Sequence, residues 1–207
     1  MQRWEIVAIN GNRVGGLWRE FVDSTLTTRI GFRTDPEQPN YLAQSVIRFQ
    51  PDGEGWQRYR FRQDPGGVDV DCDRIAAGLP LNSLPSYGEY MLLLDVISQR
   101  EAGASYGEAT QTYVRLQDSD PTMSRPARIV VADTDVIHVD GRQVEAERLE
   151  VLQEDVVVGR HWVAEDALVR SDWNGPVSWR VSRDEVLGQV EGVSPEIARF
   201  LNDGFPQ

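Results

Sequence analysis

The feature that most constrains this chain is a long stretch of alternating apolar and polar residues between positions 127 and 182. Such alternation is typical of β-strands that bury one face. Two turn dipeptides, Asp140-Gly141 and Asn174-Gly175, divide the stretch. Asp-Gly and Asn-Gly suit the primed turns of β-hairpins, because both central residues can adopt a positive φ. The stretch therefore predicts a run of antiparallel strands in a protein built mainly from β-structure.

The N-terminal half continues this pattern. The dipeptide Asn10-Gly11 lies between two β-like segments and predicts a hairpin. Residues 118–126, by contrast, are polar and contain proline, so we expect a loop there. The strands expected before that loop cover residues 3–9, 13–21, 25–33, 41–49, 58–62, 68–73 and 110–116.

The register of one hairpin, formed by residues 58–62 and 68–73, can be predicted. If Gln63 and Val68 close its loop, the apolar residues share one face and opposite charges meet on the other. The expected pairs are Arg58–Asp73, Arg60–Asp71, Arg62–Asp69, Phe61–Val70 and Tyr59–Cys72.

The three aspartates at positions 69, 71 and 73 have the spacing of a calcium loop. However, Arg74 stands where that loop needs glycine, and Pro80 stands where it needs a bidentate glutamate. We therefore interpret the aspartates as members of cross-strand ion pairs and predict no metal site.

Two helices are expected among the strands. Ser86 and Glu89 fit a capping box at the start of a helix from about 87 to 99. This helix is apolar on nearly every side, so we expect a curved sheet to bury it. A second, short helix is expected near the C-terminus, where Ser194 precedes Pro195.

The predicted fold is a single domain over residues 1–207, mainly β with some α (α+β). In this fold a large curved antiparallel sheet, or incomplete barrel, wraps around one buried helix, and a short C-terminal helix follows.

Composition excludes several classes of function. A net charge of -12 opposes binding to phosphate backbones, so no nucleic-acid partner is expected. No apolar run reaches the length of a membrane span.

All 21 basic residues are arginine, which excludes lysine nucleophiles and Schiff bases. A lone cysteine, Cys72, excludes an internal disulfide. No leader follows Met1, so the chain as written is expected to be cytoplasmic, although a processed exported chain would look the same.

No catalytic motif is visible in the sequence. There is no G-x-S-x-G or H-E-x-x-H pattern, and neither His138 nor His161 has a second ligand at zinc spacing. No cofactor is expected. An enzyme that uses clustered carboxylates stays an alternative.

The aromatic and apolar residues suggest a binding site instead. A curved sheet with bulky apolar side chains on its concave side can enclose an apolar ligand. The other interpretation is that these side chains only fill the core. The candidate ligand-binding residues are Tyr87, Tyr90, Met91, Leu94, Trp162, Trp173 and Trp179.

Several segments resemble the bacterial superfamily of half-barrel proteins typified by the periplasmic lipoprotein-localisation carriers. They are Asn10-Gly11 with residues 13–15, the helix after Leu79-Pro80, and residues 139–146, 159–163 and 168–170. The resemblance implies an incomplete antiparallel barrel around a helix that holds lipid or another apolar molecule. It transfers no individual functional residue.

From these observations we predict a non-enzymatic carrier or binding protein for an apolar ligand, a lipid or acyl chain, held between the sheet and the 87–99 helix. The first alternative is a protein–protein interaction module that uses the face or edge of the sheet, with a homodimer as one form. The second alternative is a carboxylate-based hydrolase.

Overall fold

The computed structural model describes residues 1–51, 53, 55–105, 108–139 and 141–205, and it has thirteen strands and three α-helices. The strands are β1 (Gln2–Ile9), β2 (Asn12–Val22), β3 (Thr25–Phe32), β4 (Tyr41–Phe49), β5 (Trp56–Asp64), β6 (Val68–Asp73), β7 (Ser83–Pro85), β8 (Gln111–Gln117), β9 (Asp120–Val139), β10 (Arg142–Gln153), β11 (Val156–Ala164), β12 (Ala167–Asp172) and β13 (Pro176–Val181). The helices are α1 (Glu89–Glu101), preceded by a 3₁₀ turn (Ser86–Gly88), α2 (Arg183–Val193) and α3 (Pro195–Asp203).

All thirteen strands belong to one sheet, in the order β6-β5-β4-β3-β2-β1-β13-β12-β11-β10-β9-β8-β7. The two halves of the chain are therefore two meanders that join where β1 pairs with β13. Every pair is antiparallel except the short pairing of β7 with β8. The prediction of a mainly β protein with one large, curved, unclosed sheet is confirmed.

Both predicted Asn-Gly turns have the positive φ angles that such hairpin turns require. Asn10 and Gly11 have φ angles of 51° and 79°, and Asn174 and Gly175 have φ angles of 61° and 143°. Asp140, the first residue of the other predicted turn, lies outside the described residues.

The sheet curves until its two ends approach each other. The backbone ladder stays open between β6 and β7, but side chains cross the gap. Trp56 Nε1 on β5 donates to the Ser83 carbonyl on β7 at 2.8 Å. Tyr59 on β5 donates its hydroxyl to Asp118 Oδ1, just after β8, at 2.7 Å. The sheet therefore has an inner face, which surrounds α1, and an outer face, which carries α2 and α3.

Strand alternation divides the residues between these faces. On β1, for example, Val7 belongs to the core around α1, whereas Trp4 and Ile6 belong to the core under α2 and α3. Each face thus has its own apolar cluster.

The helix α1 lies against the inner face. It buries Tyr90, Leu93, Val96 and Ile97, and it exposes its polar edge at Asp95. None of the helices in the described ranges is long and apolar enough to cross a membrane.

The predicted capping box is wrong. Neither the 3₁₀ turn nor α1 has a side-chain cap at its start. The Ser86 hydroxyl donates to Asp118, and the Glu89 carboxylate accepts from Tyr113 and Arg115. Both polar side chains are drawn to partners across the fold, where burial makes an unsatisfied group costly.

The predicted loop over residues 118–126 is also wrong, because β9 begins at Asp120. Its polar side chains are mostly exposed, but its backbone pairs with β8, with Ser124 opposite Leu116 and Arg125 opposite Arg115. Tertiary pairing here overrides the low strand propensity of the segment.

The outer face carries two helices, of which only α3 was predicted. α2 begins after Ser182, whose hydroxyl accepts from the Glu185 N–H at 3.2 Å. α3 follows Ser194 and ends at Gly204, which has a φ of +78°. Its buried residues are Ile197, Phe200 and Leu201.

The predicted register of the β5–β6 hairpin is confirmed at every pair. The side-chain ion pairs differ from the predicted ladder, because Arg58 binds Asp71 and not the opposite Asp73, and Asp71 therefore binds two arginines. It accepts from Arg58 Nη2 at 2.6 Å and from Arg60 Nε at 3.1 Å. Asp71 is therefore engaged with cations of the neighbouring strand, as the ion-pair interpretation expects.

Candidate functional site

A cavity of about 660 Å³ lies between α1 and the inner face of the sheet. Its volume falls within the range of roughly 300–1,000 Å³ that is usual for small-molecule sites. The helix contributes Tyr90 and Leu93, the turn before it contributes Tyr87, and the opposite wall includes Leu168 and Trp173. By area the larger part of the wall is apolar, and the rest of it includes four charged side chains.

The cavity contains three of the predicted site residues. Tyr87, Tyr90 and Trp173 line it. Met91 and Leu94 are half-buried and pack against the same inner core without lining the cavity.

Two predicted tryptophans lie elsewhere. Trp179 packs against the apolar cluster of α2 and α3, and Trp162 lies in a small separate cluster with Ile137 and Ala146. Both side chains are on the outer face, because their neighbours Ser178 and His161 point inward. The structure therefore does not bring these two rings to the cavity.

One end of the polar wall is a buried cluster of three charges on adjacent strands. Glu5 is 0 % exposed and accepts hydrogen bonds from Arg3 Nε at 2.7 Å, from Arg19 and from Ser178. Burial alone would raise the pKa of Glu5. The positive charges of Arg3 and Arg19, with the hydrogen bonds, outweigh it and lower the pKa to about 2. Glu5 is therefore an anion shared by two cations.

Arg19 is the member of this cluster that lines the cavity. Its guanidinium carbon lies 4.8 Å from the ring centre of Tyr90 and 5.9 Å from that of Trp173. Cation–π contacts of this kind hold a guanidinium between aromatic faces. Its Nε is buried and has no hydrogen-bond partner among the described residues. Arg19 as a whole is 7 % exposed.

The other end of the polar wall holds two carboxyl groups with different partners. Glu89 accepts from the Tyr113 hydroxyl and from Arg115 Nε, each at 2.5 Å. Asp118 accepts from the hydroxyls of Ser86 and Tyr59. Burial raises the pKa of both carboxyl groups above their ordinary values, and the hydrogen bonds only partly offset it.

A histidine and a serine also meet on this wall. His161 Nδ1 lies 2.9 Å from Ser171 Oγ, and both residues are buried. Such a pair matches the base and nucleophile of a hydrolase only in part. Burial, reinforced by the charge of Arg19, lowers the pKa of His161 to about 3. A general base works best with a pKa near the working pH. An imidazole with so low a pKa is poorly suited to act as a general base near neutral pH.

A second depression of about 650 Å³ runs along β8 and β9 and is lined mainly by polar side chains. It shares Ser86, Arg115 and Asp118 with the cavity. These three residues therefore form the partition between the outside groove and the interior.

The polar members of the site were missed in the sequence, although one signal pointed to them. Glu5 and Arg3 lie within an otherwise apolar strand, where a charge is unusual unless it is paired. The hairpin places Arg3 directly opposite Arg19. A register shift between Val7 and Ala8 creates this pairing, because the register extended from the turn without the shift would place Trp18 opposite Arg3.

No family model matches the chain, and comparisons with curated proteins and with solved structures gave no significant match. The resemblance to the lipoprotein-localisation carriers stays a prediction.

Proposed function

We propose that this protein is a non-enzymatic carrier or binding protein for a small molecule with an apolar body, such as an acyl chain. The ligand would occupy the cavity between α1 and the inner face of the sheet. The observation that carries the proposal is this cavity of about 660 Å³ in a fold whose other face is filled by helices.

The chemistry of the wall supports binding. Leu17, Ile30, Leu93 and Leu168 offer apolar surface, worth about 25 cal/mol per Å² removed from water. The stacked rings of Phe32 and Tyr41, with centres 4.7 Å apart, also line the cavity and are half-buried.

Binding of 1-decanol, measured by calorimetry and by native mass spectrometry, tests the proposal with an uncharged ligand. Leu93→Trp places a larger side chain in the cavity, and we expect it to weaken decanol binding at least ~10-fold, since a filled site leaves no apolar surface for the ligand. Leu187→Trp, on the half-buried part of α2, is the matched control and should bind normally.

Circular dichroism establishes that both variants fold. Absence of decanol binding to the wild-type protein would contradict the proposal. Equal binding by wild type and a folded Leu93→Trp variant would place the ligand somewhere other than this cavity.

A further inference from the structure

The cavity wall has an excess of positive charge at its Glu5 end. Two guanidinium groups, from Arg3 and Arg19, share the single carboxylate of Glu5. His161, which also faces this end, adds no charge near neutral pH because burial lowers its pKa to about 3. One cation of the cluster is therefore without a matching anion, in a protein whose net charge is -12.

The remaining charged groups of the wall lie at its other end and carry one excess negative charge, that of Asp118. Arg115 and Glu89 are paired with each other. Asp118 is satisfied by the hydroxyls of Ser86 and Tyr59. Hydroxyl groups do not cancel the charge of Asp118, so the wall as a whole is neutral, with a local positive excess at Arg19 and Arg3 and a local negative excess at Asp118.

Arg19 is also held in a fixed position. Glu5 binds its Nη1, and the rings of Tyr90 and Trp173 lie within 4.8 Å and 5.9 Å of its guanidinium carbon. A guanidinium presents donors in a planar fork that matches a carboxylate. Its Nε is buried and has no hydrogen-bond partner among the described residues, so Glu5 satisfies this guanidinium only in part.

We propose that the ligand of this cavity is a monoanionic amphiphile whose carboxylate binds Arg19 and whose chain lies along Leu17, Leu93 and Leu168. The inference rests on the function proposed above and adds the chemistry of the head group. A monoanion matches the single excess charge, and the apolar wall beside Arg19 accepts the chain.

A series of ten-carbon ligands with different head groups tests this on the wild-type protein. Decanoate should bind about 10- to 100-fold tighter than decanol, since hydrogen bonds to charged groups are the strong ones. Decylamine should bind more weakly than decanol because its ammonium group would lie beside the guanidinium of Arg19. Decyl phosphate, which carries nearly two charges, should bind no tighter than decanoate.

Variants of Arg19 assign the preference to one side chain. Arg19→Gln should abolish the preference for decanoate over decanol, and Arg19→Lys should retain part of it, because lysine keeps the charge without the fork. Arg183→Gln, an exposed arginine on α2, is the control and should leave the preference unchanged. If Arg19→Gln does not fold, the role of Arg19 is tested by comparing the preference for decanoate over decanol in the wild type and in Arg19→Lys.

The outcomes separate the two proposals. Equal affinity for decanoate and decanol in the wild type overturns the carboxylate inference and leaves the binding function standing. If a folded Arg19→Gln variant still prefers decanoate over decanol, Arg19 does not bind the carboxylate. If decyl phosphate binds more tightly than decanoate, the inference that the ligand is a monoanion is wrong. Failure of every ligand to bind overturns the proposed function and the inference with it.

Discussion

The outer and inner faces of the sheet both carry helices, but the helices approach the strands to different depths. On the outer face α2 and α3 lie directly on two strand glycines. A Cβ atom at Gly16 would be 2.6 Å from Val186 Cγ1, and a Cβ atom at Gly31 would be 2.8 Å from Ile197 Cγ2. Both distances are shorter than a van der Waals contact, so the outer layer is filled against the backbone itself.

On the inner face the strands present larger and charged side chains to α1. Leu17, Arg19 and His161 stand on the sheet beneath the helix, and a cavity of about 660 Å³ remains beside them. The difference between the faces teaches that one sheet can admit helices closely over glycines on one side while larger and charged side chains line a cavity on the other. The inner face therefore combines a large apolar core with an open space, whereas the outer face has its helices packed against the strand backbone.

The largest effect is expected from removing the carboxylate that the two inner arginines share. Glu5→Gln should lower the free energy of unfolding at pH 7 by about 3–5 kcal/mol, because it leaves two buried cations without an anion. Urea denaturation measures the change. The control Glu185→Gln removes an exposed carboxylate that lies 3.9 Å from Arg13 and should change stability little.

The pH dependence of that difference gives an independent test. The pKa of Glu5 is lowered to about 2 in the folded protein, from an ordinary value of 4.5, so its stabilising effect is complete above pH 4.5 and is lost as the pH falls toward 2. The stability gap between wild type and Glu5→Gln should narrow over this interval. A gap independent of pH would mean that the charge of Glu5 is not what stabilises the inner face.

The next effect concerns the outer face alone. Leu201→Ala should lower the free energy of unfolding by about 2–5 kcal/mol, because Leu201 is 0 % exposed and packs in the filled layer against β2. The folded variant should bind decanol as the wild type does. A matching loss of decanol affinity would show that the two faces are coupled and do not have separate roles.

A smaller effect is expected from His161, which should make the free energy of unfolding depend on pH. Its pKa is lowered from 6.5 to about 3, so the folded protein resists a proton that the unfolded chain accepts below pH 6.5. Stability should therefore fall between pH 6.5 and 5 with a contribution of up to about 1.4 kcal/mol per pH unit from this residue. His161→Gln should remove that contribution, whereas His138→Gln, at an exposed position, should not. If the free energy of unfolding has the same slope against pH in wild type and His161→Gln, His161 is not held neutral in the folded protein.

The smallest effect on stability is expected from the exposed ion pairs of the β5–β6 hairpin, at one edge of the sheet. Asp71 accepts from Arg58 and Arg60, but all three side chains are between 41 % and 62 % exposed. Solvent screens such pairs, so Asp71→Asn should leave the thermal midpoint within experimental error of the wild type. A clear loss of stability would indicate that the β5–β6 hairpin depends on its charges rather than on Phe61 and Tyr59.

Much of the sheet could be predicted because independent signals agree. In the β5–β6 hairpin the loop, the arginine–aspartate face and the Phe61–Val70 face all require one register, and the structure has it. α2 could not be predicted in the same way. Only Val186 and Val190 are buried, and glycines at 188 and 192 weaken its helix propensity. Its formation depends on packing over Gly16, which is distant in sequence.

The site could be predicted only in part. Tyr87, Tyr90 and Trp173 were expected because aromatic side chains near a curved sheet tend to be inside it. Trp162 was assigned with them, but the side of a strand that faces inward depends on register and bulges. β11 and β12 shift register between Trp162 and Val163, and His161 faces inward instead. The partnership of Arg19 with Glu5 needs the same long-range information.

The most direct test of the central claim, that the inner face leaves ligand-accessible space beside α1 while the outer face is filled, is a crystal structure with 10-bromodecanoate. Anomalous scattering from bromine locates the chain without interpretation of weak density. The account predicts a bromine peak between Leu93 on α1 and the strands of the inner face. A peak only on the outer face near α2 and α3, or no bound bromine at saturating ligand, would contradict it.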